Sequence, residues 1–147
     1  MIKKVNNYIT KHGLLLIVVY AIVIRLAVFL FYNTINIRSD SQNYIDLAAY
    51  LTQFNLEGYP GNRTPGYPLL IALANNSLVI TVIYQTILGF ITTFLLFDFS
   101  KRVSKSVSIA FWVTFITSSF IHFVFYEFVI LTETLSVFLV VLCFWTI

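Results

Sequence analysis

Apolar and polar residues alternate along this chain in long segments. Four apolar runs, at about 14–32, 79–99, 107–125 and 130–147, are separated by stretches that hold most of the charged residues. A helix needs about 20 apolar residues to cross the hydrocarbon core of a membrane. The pattern therefore predicts an all-α integral membrane protein with four transmembrane helices in a single domain, 1–147.

The first apolar run lies close to the N-terminus, where a signal peptide is the alternative interpretation. The apolar core of a signal peptide has about 7–15 residues and precedes a cleavage site of small residues. The run 14–32 is longer, and no small-x-small site follows it. We therefore interpret this run as a retained first span.

Composition supports a membrane environment. Hydrophobic residues make up 59% of the chain and charged residues 10%, and the mean hydropathy is +0.89. A soluble domain carries far more charge than this. The net charge of +3 forms no basic patch, so we expect membrane lipid and no nucleic acid as a partner.

Basic residues predict the orientation of the spans. One group precedes the first span, and a second lies between the second and third spans. By the positive-inside rule both groups are cytoplasmic, and the loop 33–78, which has no basic excess, is outside. The chain is thus expected to be a multi-pass protein, in the cytoplasmic membrane, with a cytoplasmic N-terminus. The two groups are Lys3, Lys4 and Lys11, and Lys101, Arg102 and Lys105.

The outer loop, 33–78, is predicted to contain a pair of short helices. Between residues 40 and 54, apolar residues recur at the spacing of an amphipathic helix lying on the outer leaflet. Ser39 and Gln42 fit a capping box at its start. Pro68 suits the first turn of a second short helix, which Asn75 and Asn76 end. The apolar positions of the first helix are Tyr44, Leu47, Ala48, Leu51 and Phe54.

A few charged residues could carry chemistry. Carboxylates such as Asp40 and Glu133 can act as a general base or hold a metal, and Arg63 can neutralise a phosphate. The structural alternatives are a helix cap for Asp40, a solvated loop charge for Arg63 and a helix-dipole residue for Glu133. Arg25, inside the first span, either extends towards the membrane surface or faces an acid within the bundle. Glu127 is interpreted as an interfacial charge.

Three motifs follow the first span in a characteristic order. They are D-x-x-x-Y-x-x-x-A from Asp40 through Tyr44 to Ala48, R-x-P-x-Y-P-L at 63–69 with Q-x-x-L-G at 85–89, and LTETLSVFLVVL at 131–142. In this order the chain resembles the polytopic C-type glycosyltransferases that use lipid-linked sugars, in particular the protein O-mannosyltransferases and the bacterial aminoarabinose transferases. The resemblance runs from about residue 14 to the end.

The resemblance implies a function. The donor would be a sugar on a polyprenyl or dolichyl phosphate, transferred with inversion to an acceptor hydroxyl at the outer face. Asp40 would be the general base, and Glu133 would orient the acceptor or hold a divalent metal. Arg63, together with the motif residues Tyr44 and Tyr67, would contribute to substrate binding.

Two features lead to an alternative interpretation. The family usually has about ten or more spans, whereas four are predicted here, and the last one ends with the chain at Ile147. We therefore expect a C-terminally truncated chain that lacks a second half or a partner supplying it. The alternative function is a non-catalytic membrane subunit or a degenerate fragment of such an enzyme.

Overall fold

The computed structural model describes residues 2–32 and 34–147. Within these residues the fold consists of seven α-helices and no β-strand. An all-helical architecture is therefore confirmed. The helices are α1 Ile2–Tyr32, α2 Ser39–Thr52, α3 Gly66–Leu73, α4 Leu78–Ser104, α5 Val107–Ser119, α6 Ile121–Tyr126 and α7 Glu133–Trp145.

Two of the helices are long and apolar enough to cross a membrane. They are Asn6–Tyr32, within α1, and Leu78–Ser104, which is α4. Val107–Ser119 and Glu133–Trp145 are also apolar but shorter. Many large apolar side chains of the long helices point away from the protein, as Leu30 and Phe31 do on α1.

Helix α4 is the centre of the bundle. It packs against α5 on one side and α7 on the other, while α1 packs mainly against α5. Helices α2 and α3 pack on each other across the start of α4. Their shared core contains Tyr44, Ala48, Tyr67 and Ile71 together with Ile130, so the segment before α7 also belongs to it.

The third predicted span, 107–125, is divided in two. Helix α5 ends at Ser119, and Phe120 has an extended backbone conformation before α6 begins. The hydroxyls of Thr117 and Ser119 both donate to backbone carbonyls one turn earlier. Such bonds compete with helical geometry and often bend helices, which the hydropathy pattern does not reveal.

The fourth predicted span, 130–147, begins as a helix only at Glu133. Before it, the backbone N–H of Asn36 donates to the carbonyl of Phe128 at 3.0 Å, and the N–H of Ile130 donates to the carbonyl of Asn36 at 3.1 Å. This extended pairing uses the backbone groups that a helix would need. The segment after α1 is thereby fastened to the segment before α7.

Helices α2 and α3 lie where the sequence predicts a pair of short helices, but the start and the end of α2 differ from the prediction. The predicted capping box of Ser39 and Gln42 is wrong, because the buried hydroxyl of Ser41 accepts from the N–H of Arg38 at 2.8 Å. The sequence predicts Phe54 on the apolar face of α2. It lies beyond the helix end with a φ of 52° and is 98% exposed. Pro68 does lie in the first turn of α3.

Candidate functional site

Asp40 and Arg63 form an ion pair next to the start of α2. The guanidinium Nη2 of Arg63 donates to Oδ1 of Asp40. Asp40 is 59% exposed and Arg63 is 27% exposed. The Arg63 guanidinium lies over the ring of Tyr44, 4.9 Å from the ring centre, a geometry in which the ring attracts the cation. The pair is therefore oriented by α2 and is open to solvent on the Asp40 side.

The loop that carries Arg63 is stabilised by hydrogen bonds within the loop. The Tyr59 hydroxyl accepts from the Arg63 N–H at 2.7 Å and donates to the Arg63 carbonyl at 2.9 Å. Gly58 and Gly61 have φ values of 82° and 73°, which side-chain-bearing residues rarely adopt. These features fix the backbone from which the Arg63 side chain extends towards Asp40 and Tyr44.

Tyr67 connects this region to the interior of the bundle. Its ring packs edge-on against Tyr44 with 5.3 Å between ring centres. Its hydroxyl donates to Oε1 of Gln85 at 3.3 Å, and Nε2 of Gln85 donates to the carbonyl of Val129 at 3.0 Å. Burial raises the pKa of the Tyr67 hydroxyl, and the nearby carboxylate of Glu133 raises it further, so this tyrosine stays protonated. We call Asp40, Tyr44, Arg63 and Tyr67 the α2/α3 cluster.

Arg25 and Glu127 form a second ion pair, deep inside the bundle. Nε and Nη2 of Arg25 donate to Oε2 and Oε1 of Glu127 at 2.8 and 2.6 Å. The two side chains are 7% and 3% exposed. Of the two alternatives for Arg25, the structure shows an acid within the bundle. The interpretation of Glu127 as an interfacial charge is wrong, because the chain folds back and buries it.

A glycine of α4 makes room for this pair. A Cβ atom at Gly89 would lie 1.9 Å from Oε1 of Glu127 and 2.7 Å from Nη2 of Arg25. No side chain fits at those distances. The glycine in the Q-x-x-L-G motif therefore has a steric function, since it lets two buried charges approach the helix backbone. Gly89 lies about three turns into α4, counted from Leu78.

Glu133 borders a cavity of about 490 Å³ between α4, the α5–α6 region and α7. Arg25, Glu127 and Gly89 line the same cavity. Oε2 of Glu133 is buried and has no hydrogen-bond partner among the residues that the structure describes. A buried carboxylate oxygen without a partner is costly, so this position is suited to a ligand that donates a hydrogen bond.

The five predicted site residues fall into two groups. Asp40, Tyr44, Arg63 and Tyr67 form one continuous set of contacts. Glu133 makes no hydrogen bond with them and is close enough only to influence Tyr67 electrostatically. It belongs with Arg25 and Glu127, which the sequence interpretation left outside the site.

The expected metal role of Glu133 has no support from neighbouring ligands. Among the described residues, no group of three or more His, Cys, Asp or Glu side chains could hold a metal ion. Asp40 uses Oδ1 for Arg63, and Glu127 uses both oxygens for Arg25.

Compared with protein-family models, with curated proteins and with solved structures, the chain matches none.

Proposed function

We propose that the chain crosses the membrane four times, through α1, α4, α5 continued by α6, and α7. The support is the charge distribution along the chain. Basic residues cluster before the first span and at the end of α4, which the positive-inside rule assigns to the cytoplasm. The break at Phe120 is compatible with this topology, because the backbone N–H of Phe120 donates to the carbonyl of Thr117 and its carbonyl accepts from the N–H of Phe123. Both groups are thus satisfied within the chain, as a lipid environment requires.

We further propose that the protein is a membrane glycosyltransferase, or part of one. It would transfer a sugar from a polyprenyl- or dolichyl-phosphate donor to an acceptor hydroxyl, with inversion, at the outer face. The observation that carries the proposal is the ion pair between Asp40 and Arg63. A carboxylate and a guanidinium held together at a solvent-open site supply a base for the acceptor and a cation for the leaving phosphate.

Arg63 is suited to the donor phosphate. A guanidinium presents five N–H donors in a planar fork that matches phosphate oxygens. Nη2 is occupied by Asp40 and Nε is buried, but the side chain as a whole is 27% exposed. A phosphate arriving at Arg63 would compete with Asp40 for the guanidinium. Donor binding would then release the carboxylate for catalysis.

Asp40 would act next as the general base. The acceptor hydroxyl gives its proton to the Asp40 carboxylate while its oxygen forms a bond to the anomeric carbon. The bond from that carbon to the phosphate oxygen breaks on the opposite side, and the phosphate leaves with the electron pair. Arg63 stabilises the negative charge that develops there. Attack opposite the leaving group inverts the configuration at the anomeric carbon.

The experiment is a transfer assay on the protein reconstituted in liposomes with a radiolabelled polyprenyl-phosphate sugar. We expect Asp40→Asn to abolish transfer. The matched control is Asp46→Asn, since Asp46 lies on the same helix, is also exposed and, within the part of the chain that the structure describes, has its side chain bonded to Gln42 alone. Equal transfer by both variants would remove Asp40 from the mechanism. Absence of transfer in every form, the unsubstituted chain included, would favour the non-catalytic subunit.

A further inference from the structure

The cavity between α4, α5–α6 and α7 changes in polarity along its length. At one end lie the carboxylate of Glu133 and the ion pair of Arg25 and Glu127. Val137 and Val141 line it one and two turns further along α7, and Leu96 lines it from α4. From Glu133 to Val141 the cavity follows α7 for about 12 Å. It therefore has a polar end and an apolar end.

The charges at the polar end select the ligand. Arg25 is the single cation among the described residues that line the cavity, and both oxygens of Glu127 already neutralise it. Glu133 adds a carboxylate with a buried oxygen that has no partner among the described residues. Thr134 beside it also has a buried hydroxyl without one. A phosphate would be repelled here, whereas a hydroxyl or an ammonium group would satisfy the free oxygen.

From this geometry we propose that the cavity binds a single-chain amphiphile whose head donates a hydrogen bond and carries no negative charge. The head contacts Glu133, and the chain lies along Val137, Val141 and Leu96. We assign this amphiphile as the acceptor of the sugar. That assignment rests on the proposed sugar transfer, whereas the binding of the amphiphile does not. The site is separate from Arg63, which does not line the cavity.

The test compares three probes with the same alkyl chain: decylammonium, decanol and decyl phosphate. Each is titrated against the intact protein in detergent without any sugar donor, and bound ligand is counted by native mass spectrometry. We expect decylammonium to bind most tightly, decanol more weakly, and decyl phosphate least. Glu133→Gln should weaken decylammonium about tenfold or more, because a charge-assisted hydrogen bond is replaced by a neutral one.

A second variant tests the apolar end independently of Glu133. Val141→Phe should reduce the binding of decylammonium and decanol by filling the space for the chain. The matched control, Leu139→Phe, lies on an exposed part of the same helix outside the cavity and should leave binding unchanged. Tightest binding of decyl phosphate, or affinities that neither Glu133→Gln nor Val141→Phe alters, would overturn the proposal. Because no donor is present, this result is separate from the outcome of the transfer assay.

Discussion

Glu127 is the acidic partner of Arg25, and removing its charge leaves the guanidinium buried without a counter-charge, next to the Ala21 carbonyl and the Phe90 ring. The pair makes two hydrogen bonds and is almost inaccessible to solvent. We expect Glu127→Gln to lower the free energy of unfolding by about 3–5 kcal/mol, the typical cost of breaking a buried ion pair. The measurement is equilibrium unfolding in mixed micelles.

The control for this prediction is Glu57→Gln. Glu57 lies in the exposed loop between α2 and α3, where a lone charge contributes little to stability. A loss of less than about 1 kcal/mol in Glu127→Gln would mean that water or the surrounding dipoles already solvate Arg25. The ion pair would then not determine how α1 and the α6–α7 turn pack together.

At the scale of elements, Gly89 determines how closely α4 approaches the buried ion pair. Gly89→Ala places a methyl group 1.9 Å from Oε1 of Glu127, so either the Glu127 side chain shifts or α4 moves. We expect a loss of about 1–3 kcal/mol, the usual cost of overpacking a core, measured by the same unfolding experiment.

Gly66→Ala is the matched control for Gly89→Ala. A Cβ at Gly66 meets no atom within 4 Å, and Gly66 is the first residue of a helix. This change should be neutral or slightly stabilising, because alanine restricts the unfolded chain. Similar losses in both variants would show that close packing at Gly89 has no special importance.

The positions of the helices show which features of the fold the sequence could predict. The apolar runs located α1 and α4, and Pro68 located α3, because these signals are local. The kink at Phe120 accompanies local bonds from the hydroxyls of Thr117 and Ser119 to the backbone. The late start of α7 accompanies hydrogen bonds to distant backbone, such as that between Asn36 and Phe128. Hydropathy contains no information on such pairing.

The residues of the candidate site also fall into those that local sequence signals predict and those that depend on distant contacts. Asp40, Arg63, Tyr44 and Tyr67 were found from short motifs within one loop. Glu127 was missed because its partner is 102 positions away. The signal available was Arg25 itself, since a cation within an apolar span needs an acid nearby, and few acids were available.

For the whole molecule, the proposed topology places the α2–α3 loop outside and the end of α4 in the cytoplasm. Phe54 is 98% exposed and Val103 is 68% exposed, so each can be replaced by cysteine in a Cys143→Ser background. A membrane-impermeant maleimide should label Phe54→Cys in intact cells and Val103→Cys only after permeabilisation. Labelling of both in intact cells, or the reverse pattern, would require a different arrangement of the spans.

The proposed mechanism is tested most directly by measuring the affinity for polyprenyl phosphate of three forms: the unsubstituted chain, Asp40→Asn and Arg63→Gln. If the donor phosphate takes Arg63 from Asp40, then Asp40→Asn removes the competitor and should bind more tightly. Arg63→Gln removes the cation and should bind more weakly. Opposite changes in the two variants are the predicted result. Equal affinities in all three forms, or weaker binding by Asp40→Asn, would contradict the exchange of partners at Arg63 on which the proposed mechanism depends.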